Sequence, residues 1–248
     1  MNATQATNWP LTIGYEPRFV FIHGAGGTRK VWRHQTSVFP DSLAVDLPGH
    51  PRGSGCDAIP EYAEFVTERI VEGKLAPAIP VGHSMGGAIA IEIALARPEL
   101  LAGVVLVGSG ARLRVTPVIK EEVARDYAHA AEVIAEWAYS PKTDRKLKNA
   151  SIQELLEVPA AVTYGDFQAC DRFDRMNEIG RIVLPTLIVC GEDDALTPVK
   201  YSQYLQDKIP NSRLVIVPEA GHSVMLEKPE ALNAALKSFI LDLRILSI

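Results

Sequence analysis

The chain is poor in three things that would each have pointed to a class of protein. It has only three cysteines, Cys56, Cys170 and Cys190, too few and too scattered for a disulfide framework or a cysteine metal cluster. It has no apolar run near the 18 or more residues that a membrane-crossing helix requires. It also lacks a cationic excess. With 25 Lys and Arg against 30 Asp and Glu, the net charge of −5 leaves no basic footprint for nucleic acid or an anionic membrane. The opening residues Met1-Asn2-Ala3-Thr4-Gln5 carry neither the basic nor the apolar segment of a secretory signal, so a reducing cytoplasm is the expected location. What remains is globular: 47% hydrophobic and 22% charged, in 248 residues that suit one large domain or a domain carrying an insertion.

Short apolar runs alternate with longer stretches of helical period, the pattern of an α/β protein with a mostly parallel sheet. The runs are 18–22, 43–46, 78–81, 104–107, 186–190 and 214–217, rich in Val, Ile and Leu without clean alternation, as strands buried on both faces should be. Helices are expected at 61–73, 85–96, 199–207 and 230–243. From 111 to 180 the alternation stops. That segment holds 22 charged residues in 70, against 33 in the other 178, and Val123, Tyr127, Ala130, Ile134 and Trp137 follow a helical stripe within it. The expected organisation is a core of residues 1–110 and 181–248, six to eight strands flanked by helices, interrupted by a helical insert at 111–180.

The segment Val81-Gly82-His83-Ser84-Met85-Gly86-Gly87 runs from an apolar strand through G-x-S-x-G into a helix. That is the strand–turn–helix context of a nucleophile elbow. Such a turn strains the serine backbone, and glycines two residues to either side leave room for neighbouring backbone. A serine hydroxyl needs a base, and the base needs an orienting carboxylate. Of six histidines, His222 follows the last apolar run, in a loop at the carboxyl edge of the sheet. His83 adjoins Ser84 and points away from it, which makes it a packing residue. His129 is structural or lines the insert, and His34 and His50 are expected in solvent. Asp193 and Asp194, in the loop after the strand at 186–190, are the carboxylate candidates. The order Ser84, Asp, His222 differs from the orders of chymotrypsin and subtilisin. The strand at 18–22 ends in His23-Gly24-Ala25-Gly26-Gly27, which lacks the phosphate-loop lysine and fits an oxyanion loop, with the N–H of Ala25 beside that of Met85 and His23 as a brace.

Taken in order, these segments resemble the α/β-hydrolase superfamily over residues 18–243, in the manner of a serine carboxylesterase with a helical cap. Asp46-Leu47-Pro48-Gly49-His50 resembles its D-x-P-G-x-G turn, from which His50-Pro51-Arg52-Gly53 departs locally. Gly191 to Pro198 matches its G-x-x-D-x-x-x-P spacing, which selects Asp194, and Gly221 to Pro229 resembles its histidine loop. The resemblance implies Ser84 as nucleophile, His222 as base and Asp194 as its orienter. It implies an oxyanion hole of the Ala25 and Met85 N–H groups, the insert as a roof, and no metal or organic cofactor. Family members often begin with an antiparallel strand pair, so the leading sheet edge is expected to be truncated here.

The implied activity is acyl transfer from a small-molecule carboxylic ester through an acyl-enzyme. A serine in the elbow excludes the aspartate-dependent dehalogenases and epoxide hydrolases. Carbon–carbon bond hydrolases, thioesterases, lactonases and cofactor-free haloperoxidases share the triad, and some relatives serve as small-molecule receptors. Trp137, Tyr139, Tyr164, Phe167 and Phe173 in the insert, and Trp32 after the oxyanion loop, are the candidate pocket walls.

Overall fold

The computed structural model describes residues 17–245, so the expected truncation of the leading sheet edge lies outside the described residues. All six apolar runs form strands: β1 (Arg18–Ile22), β2 (Leu43–Val45), β3 (Ala78–His83), β4 (Val104–Val107), β5 (Thr186–Gly191) and β6 (Ser212–Val217). They pair in parallel in the order β2-β1-β3-β4-β5-β6. The helices are α1 (Arg33–Thr36), α2 (Ile59–Glu72), α3 (Met85–Ala96), α4 (Pro117–Arg125), α5 (Tyr127–Ala138), α6 (Arg145–Leu156), α7 (Ala160–Arg172), α8 (Val199–Lys208), α9 (Val224–Glu227) and α10 (Pro229–Ile245).

The strands read as unbroken apolar runs because both faces of the sheet are covered. Successive side chains point to opposite faces, and each face meets its own helices. Val20, Ile22, Val104, Leu106 and Ile188 join one core with α2 and α3. Phe19, Phe21, Val105, Val107, Leu187 and Val189 join the other with α10. Helix α3 is buried almost all round, from Met85 to Ala94, which explains why its sequence shows no polar stripe.

The strand order fixes where a site forms. From β1 the chain crosses to β2 on one side, then returns past β1 to β3 and continues the other way. The connections after β1 and β3 therefore diverge, opening a crevice at the carboxyl ends of these two adjacent strands. The glycine-rich turn after β1 and Ser84 after β3 both stand there.

Helices α4 to α7 lie between β4 and β5. The sequence stripe from Val123 to Trp137 is divided between α4 and α5 at Asp126, whose carboxylate caps α5 by accepting from the His129 N–H at 3.1 Å. The segment leaves and re-enters the core side by side, with Arg112 bridged to Asp174 and the Arg175 N–H donated to Ala111 O at 2.7 Å. The buried Glu92 of α3 ties down the return through Arg175 at 2.8 Å.

Helix α3 can pack directly on the sheet backbone because Gly82 and Gly86 lack a Cβ. One added at Gly82 would stand 2.0 Å from the Gly86 carbonyl oxygen, and one at Gly86 would stand 2.3 Å from that of Ile22. Both clashes are with backbone, which cannot swing aside. Gly82→Ala is therefore expected to destabilise the fold by more than the ~1–3 kcal/mol typical of an overpacked side chain. Urea denaturation checks this, and a variant as stable as the parent would contradict the close approach.

Candidate active site

Ser84 sits between β3 and α3 with φ 53° and ψ −114°, a left-handed conformation that a residue with a Cβ adopts only under constraint. The constraint is visible on both sides of it. The Ser84 N–H donates to Val107 O at 2.9 Å, and the Ser84 carbonyl accepts from Gly87 N–H at 2.9 Å and from the Ser109 hydroxyl at 2.8 Å. The next residue opens α3, where the helix dipole and unpaired N–H groups gather. Among the described residues the N–H groups of Met85 and Ala25 have no hydrogen-bond partner, and both stand at the crevice, Met85 at the start of α3 and Ala25 in the turn after β1.

Asp194 and His222 meet across the ends of β5 and β6. His222 Nδ1 lies 2.9 Å from Asp194 Oδ2, which also accepts from the Thr197 hydroxyl at 2.8 Å. The other oxygen, Oδ1, accepts from the N–H groups of Leu196 and Thr197 at 2.9 and 2.8 Å. Burial by itself would raise the Asp194 carboxyl, but the His222 imidazole and these donors hold it below the usual range. Asp193 is turned elsewhere and accepts from the Ser140 hydroxyl at 2.6 Å. The His222 N–H donates to Ala138 O at 2.7 Å. Glu227 secures the same loop, accepting from the N–H groups of Gly221 and Ser140, each at 2.9 Å, and from the Thr143 hydroxyl at 2.6 Å.

Ser84 and His222 face one cavity of about 240 Å³, between the crevice and the helices that follow β4. Val31, Leu196, Met225 and Leu226 wall it on the core side, and Ile119, Ile134, Trp137 and Phe167 on the helical side. Arg114 and Glu154 are its only charged lining residues among those described. Of the candidate pocket walls, Trp137, Tyr139 and Phe167 line this space. Trp32 does not: it is fully buried in the core with its ring 5.0 Å from that of Phe21, because the chain turns at Val31 and presents that residue instead. Tyr164 packs with the Ile119 and Val123 cluster between the helices, and Phe173 belongs to the main core.

The remaining histidines differ by environment. His34 and His129 are exposed, the latter paired with Glu122 at 3.1 Å. His83 is buried with its ring 4.6 Å from that of His222, and its Nε2 donates to His222 O at 3.1 Å. His23 accepts the Leu47 N–H at Nε2, at 3.0 Å, so its proton is on Nδ1, which donates to Gly24 O at 2.8 Å. His50 is buried, not solvated. The turn after β2 folds under α7, and His50 Nε2 lies 2.8 Å from the buried carboxylate of Asp166. Glu227 entered the sequence reading only as the acid of the histidine-loop resemblance, and two buried polar residues had no place in it: Thr197 and Asp166. A signal existed for the last, because Val162, Thr163, Asp166, Ala169 and Cys170 form one buried helical stripe with an acid in its middle.

Burial, with a contribution from His50, pushes the His23 imidazole down to about 3, and burial likewise lowers His83. On unfolding, each regains the ordinary histidine range and takes up a proton when the medium is acidic. Stability is therefore expected to fall as pH drops from about 6.5 toward 3, by about 1.4 kcal/mol per pH unit for each such histidine. His50 acts in the opposite sense: its raised affinity for a proton stabilises the fold in acid and is lost only as pH rises. Urea midpoints between pH 6.5 and 4.5 measure the slope, and His23→Gln should flatten it.

The family model described as "Alpha/beta hydrolase family" matches residues 19–235. A solved thermophilic esterase is 34% identical, with a TM-score of 0.82, covering 93% of this chain and 92% of that one. Est816, an N-acyl homoserine lactone degrading enzyme, is 27% identical with a TM-score of 0.79, covering 91% of this chain and 94% of its own. The pimeloyl-(acyl-carrier protein) methyl ester esterase of Nitrosomonas europaea is 27% identical over 241 residues, 88% of this chain and 94% of the relative. Among the described residues no helix is long and apolar enough to cross a membrane. Matched over most of its length, with its sheet order and strand–turn–helix serine in place, the chain belongs to the alpha/beta hydrolase family.

Proposed function

We propose that the chain is a serine ester hydrolase of the carboxylesterase type, with Ser84 as nucleophile, His222 as general base and Asp194 as its orienting carboxylate. The observation that carries this reading is the meeting of Ser84, in its strained turn, with the Asp194–His222 pair at one mostly apolar cavity. His222 takes the Ser84 proton as Oγ attacks the ester carbonyl. The unpaired N–H groups of Ala25 and Met85 receive the oxyanion. Protonated His222 then gives its proton to the departing alkoxide, and water, activated by the same imidazole, releases the acid. Asp194 keeps the Nδ1–H tautomer in place, leaving Nε2 for the serine.

Residues 111–180 are the cap in this reading, and the apolar side chains they bring to the cavity favour esters whose acyl group is small and uncharged. Lactones are cyclic esters and follow the same chemistry, consistent with the likeness to Est816.

Ser84→Ala is expected to abolish steady turnover of short p-nitrophenyl esters, and an alkyl fluorophosphonate should label Ser84 alone. Asp194→Asn should lower kcat by about 10³- to 10⁴-fold. Asp193→Asn, which loosens only the contact to Ser140, should change it by less than about tenfold. The reverse ranking would reassign the carboxylate. One slow turnover followed by a shift in Tm would favour a receptor over an enzyme.

A further inference from the structure

Asp166 of α7 is fully buried, and its carboxylate makes three contacts, each on a different part of the fold. Oδ2 accepts the Gly26 N–H at 2.9 Å and faces His50 Nε2 at 2.8 Å, while Oδ1 accepts the Tyr62 hydroxyl at 2.7 Å. His50 Nδ1 lies 2.9 Å from Pro48 O, an acceptor only, so that nitrogen carries a proton. Burial opposes protonation of His50, but the Nε2 contact to Asp166 outweighs it and raises the imidazole's affinity for a proton, with both side chains shut off from water. The Cys56 N–H donates to the Tyr62 hydroxyl oxygen at 3.0 Å, fixing the direction of its own proton toward Asp166. A buried carboxylate this fully partnered is rigid.

Its contact to Gly26 bears on the oxyanion loop. Gly27 N–H donates to Gly24 O at 3.1 Å, closing a four-residue turn with Ala25 and Gly26 at its centre. Gly26 has φ +63° and Ala25 is not left-handed, which is a type II turn. In that turn the Gly26 N–H has no partner of its own, and Asp166 supplies one. The preceding peptide, Gly24–Ala25, is held through its carbonyl, which accepts from His23 Nδ1 as well as from Gly27. The Ala25 N–H belongs to this peptide. Both peptides flanking the Ala25 Cα are thus clamped, one through its C=O and one through its N–H, and the direction of the Ala25 N–H follows from the two.

We propose that Asp166 is a positioning residue for the oxyanion hole, fixing the Ala25 N–H from a helix 140 residues away in sequence. The proposal rests on the ester-hydrolase reading, in which that N–H receives the oxyanion. It makes the placement of α7 a condition of transition-state stabilisation: displacing the helix removes the clamp on Gly26 while Ser84, Asp194 and His222 stay together.

The test is Asp166→Asn, which keeps the shape but cannot accept at both oxygens. Asp166→Asn should lower kcat on p-nitrophenyl butyrate by about 10- to 100-fold, somewhat less than outright loss of an oxyanion donor. KM should stay within about twofold, since the cavity walls are untouched. Affinity for an alkyl trifluoromethyl ketone, which forms a tetrahedral oxyanion on the serine, should fall by the same factor as kcat/KM. A purely structural carboxylate would lower Tm and leave the ketone affinity in place, and that result overturns the proposal. Should Asp166→Asn fail to fold, His50→Gln and Tyr62→Phe weaken the same carboxylate from its other side. A several-fold loss of kcat at constant KM in them supports the proposal, and unchanged kcat in both overturns it. Ser84→Ala, run in parallel, separates the two claims. Turnover that survives Ser84→Ala removes the hydrolase reading and this proposal together, whereas Ser84-dependent turnover unaffected by Asp166→Asn removes this proposal alone.

Discussion

The rest of the site depends on the approach of α3 to the backbone of β1 and β3. With no Cβ at Gly82 or Gly86, the first turn of the helix touches the Ile22 carbonyl, and the chain has no room to relax between strand and helix. Ser84 is left at φ 53° because its neighbours on both sides are already placed, and the strain is held by the hydrogen bonds of its N–H and C=O. A serine so held presents its side chain outward at the crevice and has beside it the free N–H groups of a helix start. Every other functional group has to be brought to that fixed point.

Histidine chemistry divides by burial around it. His83 backs the ring of His222 and donates to its carbonyl, so one buried imidazole supports the other. His23 is held neutral with its proton on the nitrogen that braces Gly24. His50, 4.7 Å from His23 ring to ring, differs from these two because the Asp166 carboxyl group lies against it and, despite burial, raises its affinity for a proton. After burial, the neighbouring His50 is the next cause of the low proton affinity of His23, so the His50–Asp166 pair and the neutral brace belong to one arrangement.

The sheet could be read from sequence because each buried strand had to be apolar on both faces, and the strand ends fell within one or two residues of the apolar runs. The positions of Ser84, Asp194 and His222 were legible for a related reason: each stands in the connection that follows a strand, so its place at the carboxyl edge comes with the fold. Residues whose role depends on the helices after β4 were not. Trp32 looks like a pocket wall by its proximity to the glycine-rich turn after β1, yet in a short helix adjacent residues point apart, so Val31 faces the cavity and Trp32 faces Phe21. His50 reads as a polar loop residue until α7 covers it. Its partner Asp166 is 116 residues away, and no local pattern encodes a contact at that separation. The acid within the apolar face of α7 was a visible sign that something charged or donating waits opposite, but not of what.

The helices between β4 and β5 are tied to the core at separated polar points: Arg112 and Arg175 at their stem, Ser140 on Asp193 and Glu227, and Asp166 on the glycine-rich turn after β1. Between these ties their contribution to the cavity is apolar, from Ile119, Ile134, Trp137 and Phe167. Hydrogen-bonded groups demand fixed distances, whereas apolar walls tolerate exchange among side chains of similar volume. The arrangement therefore separates two tasks within one segment. Its buried polar contacts set where the helices stand, and through Glu227 and Asp166 they bear on the His222 loop and the Ala25 turn. Its apolar side chains decide what fits beneath. Substitutions in the walls can redirect substrate choice while the reacting groups stay in register, and substitutions in the ties cannot.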